Sequence, residues 1–140
     1  LDGDMADAEV FERLLPLTDH AIFSEPALSA FAGSANDESL AALARFGCRV
    51  IAVTRGEGGV SWYENGQLHR QAAYVVDVVD TTGAGDVFHG AYTFAVGAGL
   101  DVRDAMTFSA ATAAMKCRHA GGRNGIPTIN ECLAFMRTKP

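Results

Sequence analysis

The segment Asp80-Thr81-Thr82-Gly83-Ala84-Gly85-Asp86 brings carboxylates, hydroxyls and glycines together at a spacing that suits charged chemistry. Glycine at 83 and 85 and alanine at 84 leave no bulky side chain between the backbone and an incoming oxygen. Glycine also reaches the left-handed angles that aim successive N–H groups inward. If a helix starts here, its first N–H groups lack intrahelical partners and its dipole adds partial positive charge, so an anion can dock. Asp86 then sets a negative charge beside an anion cradle. One explanation is N-capping of the helix, typically worth about 1 kcal/mol. The other is phosphoryl transfer, which needs donors around the moving group and a base for the proton of the attacking hydroxyl.

The elements that must position this segment follow from the surrounding pattern. Tyr74-Val75-Val76-Asp77-Val78-Val79, β-branched and aromatic, predicts a strand before the turn. The small and apolar residues after it predict a helix over about Gly85 to Ala98, ended by Gly99. Asp101 is the expected cap of a second helix through Met106, Phe108, Ala111, Ala114 and Met115. Upstream, Asp4 is expected to cap a helix over about Ala6 to Leu15, with Val10, Phe11, Leu14 and Leu15 on its buried face. Ala21-Ile22-Phe23 and Val50-Ile51-Ala52-Val53 read as buried parallel strands, followed by Ser24 and Pro26 opening one helix and Asn36, Asp37 and Glu38 opening another. Thr54-Arg55-Gly56-Glu57-Gly58-Gly59 turns tightly into a strand ending at Glu64, and Asn65-Gly66 turns back into Leu68 to Gln71. Thr128 and Glu131 form a capping box for the last helix, whose Cys132, Leu133, Phe135 and Met136 are expected to pack on the sheet. Parallel-type strands alternating with helices give an α/β fold, a doubly wound, mostly parallel sheet with flanking helices and one β-hairpin, with ligands at strand carboxyl ends.

Composition limits the alternatives. With 140 residues, 49% of them hydrophobic, the chain can bury a core, and a net charge of -6 argues against general nucleic-acid binding. No apolar run is long enough to span a membrane. Cys48, Cys117 and Cys132 show no metal-binding spacing and read as reduced, mostly buried thiols of a cytoplasmic protein.

The motif from Asp80 to Asp86, followed by Phe88, Gly90 and Ala91, resembles the C-terminal signature of the PfkB, or ribokinase-like, carbohydrate kinases. The resemblance implies ATP-dependent phosphorylation of a sugar hydroxyl, with Asp86 as catalytic base and the backbone of Gly83, Ala84 and Gly85 as anion hole. It further implies ATP contacts from Thr54 to Gly59, that is Thr54, Arg55, Gly56, Glu57, Gly58 and Gly59, and from Gly85. Ala110 and Ala114 would form an adenine wall, magnesium would bridge the phosphates, and Asp80 and Thr82 would hold a monovalent cation such as K+ beside the loop Gly121-Gly122-Arg123-Asn124-Gly125. Asp86 to Gly90 and the loop through Pro127 resemble ketohexokinase-like and sulfofructose-kinase-like members. Ser24 and Ala27 replace the family's usual N-x-x-E, an element tied to magnesium and phosphate, with Glu25 displaced, so the resemblance does not carry that metal contact over to this chain. Members are about twice as long, so the chain reads as the C-terminal half of one domain, a fragment or the product of a truncated gene model, without the lid and most sugar contacts. A homodimer is the corresponding expectation for the full-length protein.

Rival readings differ in their motifs. A haloacid-dehalogenase start at Asp2-Gly3-Asp4 lacks the expected residues at Met5 and Ala6, and no P-loop or G-x-G-x-x-G occurs. A nucleoside or pyridoxal kinase would share Gly83 to Asp86, and a paralogue could bind nucleotide without turnover. His89, one turn beyond Asp86, reads as an ordinary packing or hydrogen-bonding residue before a site residue.

Overall fold

The computed structural model describes residues 1–4 and 7–138, which fall into two units, residues 1–70 and 71–140. The first is built on a five-stranded sheet in the order β1 (Asp2–Gly3), β2 (His20–Ser24), β3 (Val50–Thr54), β4 (Val60–Glu64), β5 (Gln67–Gln71). β1, β2 and β3 run parallel, and β4 returns antiparallel to β3, so the sheet is mixed, a parallel part continued by the tight reversals that the sequence called for. The reason lies in two consecutive tight turns. Gly56 and Gly59 take positive φ in the first, and Asn65 (φ 52°) and Gly66 (φ 79°) in the second, so each chain reversal costs little strain.

The helices of this unit are α1 (Ala8–Leu14), α2 (Glu25–Ala32) and α3 (Asp37–Ala42). Ser24 Oγ accepts from Ala27 N at 3.3 Å and Asn36 Oδ1 from Ser39 N at 2.8 Å, the caps that the sequence called for. α1 starts later than expected, with Asp7 rather than Asp4 in the cap position; the expected first residue, Ala6, lies outside the described residues. Only Phe11 and Leu15 of its predicted apolar face are buried, while Val10 and Leu14 are each 41% exposed. A narrow stripe suffices because Phe11 meets Phe23 edge-on, with ring centroids 5.2 Å apart, over Leu28, Leu40, Ile51 and Val53.

The second unit holds α4 (Ala84–Gly97), α5 (Val102–Cys117) and α6 (Ile129–Thr138). α4 and α5 pack along their lengths through Phe88, Ala91, Ala95, Ala105, Phe108 and Ala111, small and aromatic residues that allow close approach. Asp101 Oδ1 accepts from Asp104 N at 2.8 Å, and Thr128 with Glu131 closes the predicted capping box. Within this unit α6 packs on α5, its buried Cys132 set against Thr112 Oγ1 at 3.3 Å.

Residues 74–79 form no strand, which corrects the reading of the segment before the glycine turn. Val75, Val78 and Val79 are 85%, 61% and 62% exposed. Strand propensity expresses fit to a neighbouring strand, and this segment pairs with none among the described residues, although Tyr74 and Val76 are half-buried and Tyr74 packs on Phe135 with ring centroids 5.3 Å apart.

Candidate active site

The glycine turn hangs from the C-terminal end of α5. The Cys117 carbonyl accepts from Val79 N at 2.8 Å and Asp80 N at 3.1 Å, and Lys116 Nζ donates to the Asp80 carbonyl at 3.0 Å. Asp80 in turn ties two loops together, for its Oδ1 accepts from Thr82 N at 2.8 Å and its Oδ2 from Gly121 N at 2.7 Å. Those hydrogen bonds, from Thr82 first and then Gly121, pull the Asp80 carboxyl down to about 2, with the Lys116 ammonium adding to the effect.

Gly83 occupies the cap position of α4 with φ 74°, in the left-handed region. A Cβ there would lie 3.2 Å from the Gly122 carbonyl oxygen, so glycine is required both by angle and by the approach of the 121–125 loop. The sequence proposed three amides for the anion cradle, and here one correction applies. Ala84 N already donates to the Thr81 carbonyl at 3.0 Å, which closes the turn. The N–H groups of Gly83 and Gly85 have no hydrogen-bond partner among the described residues, and a Cβ on Gly85 would meet open space.

Asp86 stands in the first turn of α4 and is exposed. Its carboxylate makes no hydrogen bond or ion pair among the described residues, and α4 has no side-chain cap. The N-capping explanation therefore does not hold. His89 Nδ1 lies 2.8 Å from the Gly85 carbonyl of its own helix, the ordinary role expected for it.

Thr82, Gly83 and Asp86 line an open groove of about 650 Å³ together with Gly122 and Arg123. Its other end is apolar, formed by Phe94 of α4, Phe108 of α5, Ile126 and Pro127. Sequence reading missed this lining. Arg123 had a signal, as the cation of the 121–125 glycine loop; Phe94 and Phe108 had none, since aromatic residues at helical spacing read as core. Ala110 and Ala114 do not line the groove, and helical periodicity puts them on the far side of α5 from Phe108 and Thr112.

Thr54 to Gly59 belong to the first unit and form its β3–β4 turn. Thr54 Oγ1 donates to the Phe23 carbonyl at 3.4 Å. Arg55 is committed to its surroundings: Nη1 donates to Ser61 Oγ and Nη2 to the Ala35 carbonyl, both at 2.6 Å, and Nε lies 3.6 Å from Glu25. Gly56, Glu57 and Gly58 make a single 3-10 turn, closed by Gly58 N donating to the Arg55 carbonyl at 2.9 Å and Gly59 N to the Gly56 carbonyl at 3.0 Å, while Arg55 N donates across the reversal to the Gly59 carbonyl at 2.8 Å. Burial pushes the thiols of Cys48, Cys117 and Cys132 up.

A helix opening on a glycine turn, with unbonded amides, an uncommitted carboxylate and a groove alongside, defines an α/β protein equipped to receive an anion. Comparison with known proteins makes the class specific: the family of pfkB carbohydrate kinases matches residues 2–129, and the chain belongs to that family. It is 32% identical over 95 residues to a ribokinase of Lactococcus lactis, an alignment covering 68% of this chain and 31% of that protein. Its fold superposes on a putative ribokinase from Agrobacterium tumefaciens with a TM-score of 0.93 at 39% identity, covering 99% of this chain and 46% of the other. A putative ribokinase II from E. coli, in complex with ATP and Mg2+, gives 0.84 at 27% identity over 93% of this chain and 42% of its own. The chain thus spans about a third of that curated relative and under half of those solved structures.

Proposed function

We propose that this chain contributes the phosphoryl-transfer half of a sugar kinase, with ATP as donor and a sugar hydroxyl as acceptor. The observation that carries the reading is the exposed, unpartnered carboxylate of Asp86 beside the unbonded amides of Gly83 and Gly85. Family membership and the ATP and Mg2+ bound by the E. coli relative support it.

In this reading the Gly83 and Gly85 N–H groups, aided by the α4 dipole, stabilise negative charge on the phosphoryl oxygens during transfer. Asp86 accepts the acceptor's hydroxyl proton late, once bonding to phosphorus has made that hydroxyl more acidic. Ala84 serves by closing the turn rather than by donating. Thr54 to Gly59 approach the nucleotide through backbone and glycine surface, because the Arg55 guanidinium and Thr54 hydroxyl are already engaged. Magnesium, carried by the nucleotide, would neutralise phosphate charge there. A monovalent cation such as K+ would sit by Asp80 and Thr82, where the carboxyl stays ionised down to about pH 2. Ala110 and Ala114 remain the adenine wall only if the base lies on the far side of α5.

The test is transfer of the γ-phosphoryl group of ATP to a panel of ketoses, ribose, nucleosides and pyridoxal. Turnover on a sugar that Asp86→Asn abolishes is the expected result. Turnover on nucleosides or pyridoxal alone would reassign the acceptor, and turnover retained by the variant would overturn the base.

A further inference from the structure

Lys116 is a buried cation that the reaction described above does not use. Its side chain, in the last turn of α5, is 0% exposed. Lysine ordinarily carries its ammonium out to water, and an enclosed charge is costly unless it is matched by a partner. Methionine would fill similar space without that cost. The one hydrogen bond of this ammonium among the described residues goes to the Asp80 carbonyl, at 3.0 Å.

That carbonyl belongs to the peptide on which the site turns. A trans peptide is planar, with C=O and N–H directed oppositely, so fixing the Asp80 oxygen also fixes the Thr81 N–H on the other side. The N–H on the near side of Asp80 is already held by the Cys117 carbonyl, as is that of Val79. With both flanking peptides held, the Asp80 carboxylate can reach Thr82 N and Gly121 N together, and Gly122 closes on Gly83.

We propose that Lys116 is a positioning residue for phosphoryl transfer, its enclosed ammonium orienting the Asp80–Thr81 peptide and thereby the Gly83–Gly85 amides. The proposal rests on the kinase reading above. Lys116 touches neither nucleotide nor acceptor; it acts through the turn, so it affects the transition state more than ground-state binding.

The experiment compares wild type, Lys116→Met and Lys116→Arg in the full chain by kinetics and by amide hydrogen exchange. Displacement of the turn in Lys116→Met should lower kcat on the order of 10- to 100-fold with KM for ATP moved by no more than about threefold, and Lys116→Arg should recover part of the loss. Exchange in Lys116→Met should rise over residues 79–86 while the α4 and α5 interiors keep their protection. Unchanged kcat and exchange, a matching rise in KM, or loss of folding in both variants would overturn the proposal, the last by making Lys116 a residue of global stability. Asp86→Asn runs alongside. If wild type shows no transfer to any acceptor the kinase reading fails, and the exchange data still decide whether the lysine orders the turn.

Discussion

Two glycine-rich turns of this chain look alike in sequence and differ in what surrounds the groups they leave unspent. At Arg55–Gly59 the guanidinium bonds Ser61 and Ala35, the neighbouring Thr54 hydroxyl bonds Phe23, and the backbone closes on itself, while the exposed Glu57 carboxylate and the Gly56 and Glu57 amides make no hydrogen bond among the described residues. At Asp80–Asp86 the first residues are consumed and the last are not. Asp80, Thr82 and Ala84 satisfy their neighbours, while Asp86 and the amides of Gly83 and Gly85 are left over, with Gly83 and Asp86 in the wall of an open groove. The difference teaches that leftover donors and a charge make a glycine turn a candidate site when they also line a groove, as Gly83 and Asp86 do and residues 55–59 do not.

Breaking that contrast at its strongest point means removing the leftover charge. Asp86→Asn should lower kcat by about 10²- to 10⁴-fold, leaving nucleotide affinity and melting temperature nearly unchanged, as steady-state kinetics and calorimetry would show. Arg55→Ala should do the reverse. Losing a mostly buried guanidinium that serves Ser61 and Ala35 should cost about 1–3 kcal/mol in denaturant unfolding, with kcat for the surviving folded fraction little changed.

Asp80 offers a pH test of the upstream scaffold. Its carboxyl falls from 3.8 to about 2 on folding, so its stabilisation is complete above about pH 4 and is lost as pH falls through about 2. Asp80→Asn should therefore melt lower than wild type at pH 7, the gap narrowing below about pH 4 and closing near pH 2. A gap that stays constant through the acid range would mean that the carboxylate's charge is not what ties the loops. The smallest structural effect is expected at Gly85→Ala. Its Cβ meets nothing within 4 Å, so helix stability should rise by about 0.5–1 kcal/mol, while a methyl group in the cradle should lower kcat/KM by about tenfold.

Much of the local structure was legible in the chain. Ser24, Asn36, Asp101 and the Thr128–Glu131 pair cap helices where their side chains predicted, because a cap depends on residues within one turn. Asn65-Gly66 reverses the chain for the same reason. Residues 74–79 failed as a strand because pairing is not a local property. Val10 and Leu14 are exposed although their spacing suited burial, since an aromatic cluster of Phe11 and Phe23 already closes that face. Lys116 and Phe108 carried no signal at all: a lysine near a helix end and an aromatic residue in a helix are ordinary in sequence.

By itself the sequence determined the glycine turn, the helix that begins there and the presence of Asp86 within it, since each follows from backbone freedom and spacing over a few residues. Only tertiary structure decided that Asp86 would be left without a partner, that the Asp80 carboxylate would tie Gly121 to the turn, and that a buried ammonium would hold Asp80. Those outcomes depend on where the end of α5 and the 121–125 loop arrive, and residues some 36 to 41 positions apart meet only when the helices pack.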